Sequence, residues 1–238
     1  MRHGWEGVVL KLFKGKDFVF TVTGAEQVAE RYRRVHCTDG GLLAAVGAHP
    51  TMWVRLWFDK AGKPHQRAYT LVDPDVEAGT FSLEFALHDG CAADWSLKAQ
   101  PGDTIDATLQ GTDFDVPEPL PPRLLVIGDP ASLPAINSLL GVARKLPATI
   151  WFETQHDSDE ELPMRLDPSV HEVRPVRRTA GALVADVKAN LPALVDDPAE
   201  TFVWVACDTV TTRALTAYLL KELKIPRHRV KALGYWRA

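Results

Sequence analysis

Between residues 114 and 122 the chain reads FDVPEPLPP, and the hydrophobic period differs on its two sides. Four prolines in so short a stretch rule out a continuing helix or a central strand, because each fixes φ and removes a backbone donor. The segment reads as a semi-rigid extended linker over 116–122, separating a domain at 1–115 from a second at 123–238. Any fold assigned to this chain has to accommodate that change of period.

On the N-terminal side, short alternating segments are separated by turns. FVFTVTG and TFSLEFAL alternate, MWVRLWF is aromatic-rich, RAYTLV follows the turn KAGKPH, and DTIDATLQG follows PGD. Short strands at this spacing predict an antiparallel barrel or sandwich. Two helices are expected to interrupt it, over AEQVAERYRRV and CAADWSLKA. The second follows a strand directly and opens with small residues.

On the C-terminal side, strands alternate with helices. RLLVIGD, ATIWFE, HEVRPV, TFVWVACD and RVKALGYW read as strands, while PASLPAINSLLGVARKL and TVTTRALTAYLLKELK have helical spacing. Such alternation predicts a parallel α/β sheet with right-handed crossovers, of the nucleotide-binding type, whose ligand site lies at the C-terminal strand ends. The fold class is therefore an antiparallel β domain followed by an α/β domain.

Composition narrows the function classes. At 238 residues, 46% hydrophobic, with a net charge of -4, the chain can bury a full core but carries no concentrated basic footprint for nucleic acid. No apolar run approaches the roughly 20 residues of a membrane span, and the start lacks a signal-peptide pattern, so a cytoplasmic protein is expected. The three cysteines are far apart and odd in number, and the eight histidines form neither HxH nor HExxH. Neither a disulfide framework nor a protein-held metal is expected.

Several residues qualify for chemistry. Arg67, Tyr69 and Thr70 set a cation, an aromatic ring and a small hydroxyl along one strand, with Arg67 and Tyr69 on one face. They suit a flavin, and equally an ordinary edge strand with a half-buried tyrosine. Gly90 and the amides after it, at Ala92 and Ala93, open a helix and suit a pyrophosphate, or form a plain strand-to-helix turn. Gly128 and Asp129 end one strand and Asp208 another, where a carboxylate orients a nicotinamide or ribose, or simply caps a helix. The closing GYWRA presents Tyr235 and Trp236, which either pack or cover a flavin face.

Taken in order, RAYT, LEFALHDG…ADW, PGD, GDPASLPAI, FVWVACD and GYWR resemble the siderophore-interacting proteins, FAD-dependent ferric-siderophore reductases of the ferredoxin-reductase superfamily. The resemblance implies FAD held by Arg67, Tyr69 and Thr70 and by the stretch from His88 to Trp95. It aligns a nucleotide element with Gly128 to Ala135, a second with Ala206 to Asp208, and a terminal aromatic element with Gly234 to Arg237. It further implies Arg55 and Arg237 as cations for an anionic ferric siderophore, with NAD(P)H or reduced ferredoxin as electron donor. The chain departs from the family pattern at Val72, where an arginine is usual, and at Ala93 and Asp94, which replace a hydroxyl and a cation. These departures leave two alternatives: a diverged siderophore- or partner-binding module with weak or lost flavin binding, and a general flavin reductase.

Overall fold

The structure, a computed structural model, describes residues 16–110 and 117–237. Residues 1–15, and residue 116 of the expected linker, lie outside the described residues. The chain divides into two units, Met1–Phe114 and Asp115–Ala238.

The first unit is one antiparallel sheet of seven strands in the order β4-β3-β7-β1-β2-β6-β5. Its strands are β1 (Lys16–Ala29), β2 (Tyr32–Thr38), β3 (Trp53–Lys60), β4 (Lys63–Thr70), β5 (Val72–Asp75), β6 (Thr80–Ala86) and β7 (Thr104–Leu109). Strands β4 and β5 end opposite edges of that order, yet only Leu71 separates them along the chain. One residue spans less than 4 Å, so the sheet has to curl until its edges meet, giving a half-barrel. Alternation fills the interior: Phe20 and Val22, Val35 and Cys37, Val54, Leu56 and Phe58, Phe81, Leu83 and Phe85, and Ile105 and Ala107 form one buried cluster. Two helices accompany the sheet, a short α1 (Leu42–Val46) and α2 (Cys91–Lys98).

The helix expected over 25–35 is absent, and that stretch instead forms the β1–β2 hairpin. Its charges, whose spacing suits a helix, pair across strands. Glu26 stands opposite Arg34 in register, and Arg34 bonds both Glu26 and the buried Glu84 of β6. Tyr32, fully buried, donates to Glu84 at 3.0 Å. Burial of Val35 and Cys37 between β1 and β6 outweighs the local helical preference, which is worth only tenths of a kcal/mol per residue.

The second unit is a parallel sheet in the order β10-β9-β8-β11-β12. It comprises β8 (Leu124–Gly128), β9 (Ala148–Thr154), β10 (His171–Arg177), β11 (Phe202–Asp208) and β12 (Val230–Trp236), with α3 (Leu133–Val142), α4 (Ala182–Asn190) and α5 (Thr209–Lys221). The central strands β8, β9 and β11 are buried at every position, as strands covered on both faces must be. Connections to β9 and to β12 leave in opposite directions along the sheet, so their helices α3 and α5 lie on opposite faces. The order reverses between β8 and β11, and their C-terminal ends, Asp129 and Asp208, flank that switch point. Tyr218 of α5 is 7% exposed and belongs to the core under α4 and α5, donating to the Lys188 carbonyl.

Among the described residues no helix is long and apolar enough to cross a membrane.

Candidate functional site

In the half-barrel, the candidate residues gather where β4 meets the start of α2. Strand β4 is an edge strand paired only with β3, so one side of its backbone stays open. Arg67 is exposed, and one arm of its guanidinium donates to the neighbouring Gln66 carbonyl at 2.8 Å. Tyr69 is half-buried, its ring 4.4 Å from that of Phe85 and 6.1 Å from that of Phe58. Trp95 of α2 packs on the same two phenylalanines at 5.8 and 5.9 Å. This aromatic cluster ties α2 to β4. Burial raises the Tyr69 phenol far above its ordinary range, Arg67 opposes the rise and Cys91 adds to it. Arg67 and the first residue of α2 therefore both lie within electrostatic reach of the phenol.

Helix α2 begins without a side-chain cap, because the residue before it is Gly90. The helix start thus carries no side-chain cap among the described residues, the arrangement that attracts an anion to the first-turn amides. Ala92 and Ala93 are themselves buried, anchoring that turn. His88 is exposed just upstream, its Nδ1 donating to the Asp89 carbonyl at 3.0 Å. Asp94, in the first turn and exposed, is the one charge there that repels an anion.

Thr70 stands apart from this set. It alternates to the opposite face of β4 from Tyr69 and lies opposite Trp53 in register, with Ala68 opposite Arg55. The Thr70 side chain is 4% exposed and its Oγ1 has no hydrogen-bond partner. A buried hydroxyl left so is uncommon and needs a reason. Beside it the Arg55 guanidinium lies over the Trp53 ring, 5.0 Å from its centroid. Trp53 carried no signal in the sequence beyond its place two residues before Arg55.

The second unit gathers a different group at its switch point. Asp129 is buried and caps the short 3-10 turn at Pro130–Ser132, accepting from the Ala131 and Ser132 amides at 3.0 and 3.3 Å. Its second oxygen accepts from the Trp236 indole at 2.7 Å. Asp208 caps α5 through the Val210 and Thr211 amides at 2.8 and 3.1 Å. Glu153, ending β9, is the third buried carboxylate and pairs with Arg178 at 3.6 Å. Arg178 in turn lies 4.3 Å above the Trp236 ring, and the Trp236 carbonyl accepts from Thr209 at 2.9 Å. Gly128 is required by close approach, since a Cβ there would come within 2.5 Å of Ser132 Oγ and 2.7 Å of Ile136 Cδ1. Tyr235 points away from this group to Trp204, at 6.2 Å, and Arg237 is exposed. The tandem Arg177-Arg178 gave no hint that Arg178 is the cation of this cluster.

Burial pushes Asp129 up to about 6. The Trp236 bond opposes that rise, Glu153 adds to it, and the two amides oppose it. Glu153 is likewise raised by burial, against the pull of Arg178. Burial would raise Asp208 too, but its bonds from Thr211 and Val210, with Arg178, hold it below the usual range. Because the folded Asp129 binds its proton more tightly than an ordinary carboxyl at 3.8, its contribution to stability is present below that pH and is lost as pH rises towards 6. Trp236→Phe removes the largest opposing bond, so a carboxyl-carbon NMR titration should place Asp129 higher still, and the pH at which this stability is lost should rise with it. An unmoved midpoint would show that the indole does not hold this carboxylate. The thiols play no such part: burial raises Cys37 to about 12 and Cys207 well above its ordinary range.

Comparison with known proteins follows the two units. The siderophore-interacting FAD-binding domain family matches residues 21–110, and the siderophore-interacting protein family matches 121–238. The chain is 31% identical over 243 residues to the mycobactin import ATP-binding/permease protein IrtA of Mycolicibacterium smegmatis, covering 99% of this chain. It spans only 28% of the length of that relative. It is 23% identical over 182 residues to the ferric acinetobactin reductase of Acinetobacter baumannii, covering 74% of this chain and 62% of that protein. The crystal structure of the siderophore-interacting protein SipS from Aeromonas hydrophila superposes with a TM-score of 0.79 at 19% identity, covering 94% and 92% of the two chains. With both units matched and the half-barrel and parallel sheet shared, the chain belongs to the siderophore-interacting protein family and has a ferredoxin-reductase-like fold.

Proposed function

We propose that this chain is an FAD-dependent reductase that delivers electrons to ferric iron held in a siderophore, releasing Fe(II). One observation carries the reading: an uncapped helix start is held beside an exposed arginine and an aromatic ring by a single packed cluster. Those parts fit FAD. The α2 amides and Arg67 suit its pyrophosphate and the Tyr69 ring suits a planar heterocycle, while the orphaned Thr70 hydroxyl, on the opposite face at the end of β4, suits a polar atom at the ring system's edge. When bound, the flavin supplies single-electron transfer to Fe(III), and hard anionic oxygen ligands hold the product Fe(II) less tightly.

The chain's own share is binding, orientation and charge. Arg67 and the helix amides neutralise the phosphates, and the cluster of Phe58, Tyr69, Phe85 and Trp95 fixes α2 relative to β4. Arg55, steadied over Trp53, offers a cation to an anionic chelate on the other face of that strand pair. No general base is required, because the substrate gains electrons rather than losing a proton. The name of the Acinetobacter relative, a ferric acinetobactin reductase, supports the same chemistry. Reduced ferredoxin and NAD(P)H are both donors consistent with it.

The test is direct. Purified protein should be yellow or become so with added FAD, and anaerobic mixing with donor and a ferric siderophore should yield Fe(II) trapped by a ferrous chelator. A colourless protein that refuses FAD would refute the reading. A flavin that is reduced while no chelate yields Fe(II) would leave a general flavin reductase.

Asp94 favours a second reading, in which the chain binds flavin weakly and serves as a siderophore- or partner-binding module. A carboxylate at a helix N-terminus occupies the place an anionic ligand needs, at a cost of about 0.3–1 kcal/mol to that ligand. Asp94→Asn should therefore tighten FAD about two- to fivefold, measured by quenching of flavin fluorescence. Unchanged or weaker binding would remove Asp94 as the source of any flavin deficit.

A further inference from the structure

An open parallel sheet binds a nicotinamide dinucleotide by placing its pyrophosphate at the switch point, against free helix amides and with a glycine giving the phosphate room. The switch point of the second unit, between β8 and β11, does not meet those demands. The Ala131 and Ser132 amides are taken by Asp129, and the Val210 and Thr211 amides by Asp208. Gly128 gives no room, because Ser132 and Ile136 already occupy the space a side chain would fill. Its lack of a Cβ lets the 3-10 turn pack against β8.

Charge points the same way. Asp129, Glu153 and Asp208 end three adjacent strands and are all buried, while Arg178 is the cation that acts on Glu153 and Asp208. That guanidinium is engaged, ion-paired with Glu153 and stacked on Trp236. Trp236 is fixed at both ends, its indole on Asp129 and its carbonyl on Thr209. A pyrophosphate entering here would face carboxylates in a poorly screened setting, with the helix amides already satisfied.

We infer that the switch point of the second unit is closed to NADH and NADPH. The inference stands on the crevice alone and holds whether or not the half-barrel takes up FAD.

Nitrogen-15-labelled protein is titrated with NADH and with NADPH, following the Trp236 indole resonance, which Trp236→Phe identifies. No movement is expected up to about 1 mM, equivalent to binding weaker than about 4 kcal/mol. Saturable movement of that resonance would overturn the closure. A double variant, Asp208→Gly with Glu153→Gln, frees the α5 amides and removes two carboxylate charges. If its spectrum remains that of a folded chain, it should acquire saturable NADPH binding, and continued absence of binding would overturn the assignment of closure to these groups. Protein that takes up no FAD would refute the flavin reading while leaving the titration to decide the crevice.

Discussion

Tyr69→Ala is expected to purify without flavin and to bind added FAD at least about 30-fold more weakly than wild type, whereas Tyr69→Phe should stay within about threefold of it. The ring does two jobs. It packs on Phe85 at 4.4 Å within the cluster that also holds Trp95, and its half-buried position leaves it able to meet a planar ligand. Truncation removes the contact face and loosens α2, whose uncapped start is the other half of the anion site. The same change should lower stability by about 1–3 kcal/mol, less than for a fully buried aromatic, because the ring is only partly buried. Thermal unfolding of the apo forms therefore has to accompany the binding measurement. Phenylalanine keeps the ring and the packing, so equal loss in both variants would place the binding determinant on the phenol. Equal retention in both would remove Tyr69 from the site. Tyr218→Ala is not a suitable control, because Tyr218 is a core residue of the second unit.

How legible all this was depended on whether the determining interaction is local. The barrel strands announce themselves because their neighbours alternate in sequence, as Val54, Leu56 and Phe58 do. The parallel strands show as apolar runs because helices cover both faces. The β1–β2 hairpin was misread as a helix because what decides it is pairing with β6, about fifty residues away, through Tyr32, Arg34 and Glu84. The caps Asp129 and Asp208 were visible as carboxylates after strands, but whether their amides were free or taken is a question of geometry. Trp236 shows the limit most clearly. Its indole bonds a residue 107 positions earlier, and the guanidinium stacked upon it lies on a loop after β10 that the sequence marks only as two arginines in a row.

Thr70→Val should separate folding from function at a single atom. The Thr70 hydroxyl is buried and unpartnered, so replacing it with a methyl group of the same shape relieves a desolvated polar atom worth about 1–3 kcal/mol. The apo protein should melt about 2–8 °C higher, the range expected when about 1 kcal/mol is gained in a domain of this size. If that oxygen is kept for the flavin, the stabilised variant should bind FAD about 5- to 30-fold more weakly, since it loses about 1–2 kcal/mol of a hydrogen bond that only the loaded protein makes. Opposite signs for stability and affinity are the mark of a residue retained for a ligand at the expense of the empty fold. A variant both more stable and equally able to hold FAD would show the hydroxyl to be idle. A less stable one would show that it has a partner within the protein, and the case for Thr70 as a flavin contact would then fall to Arg67, Tyr69 and the α2 amides alone.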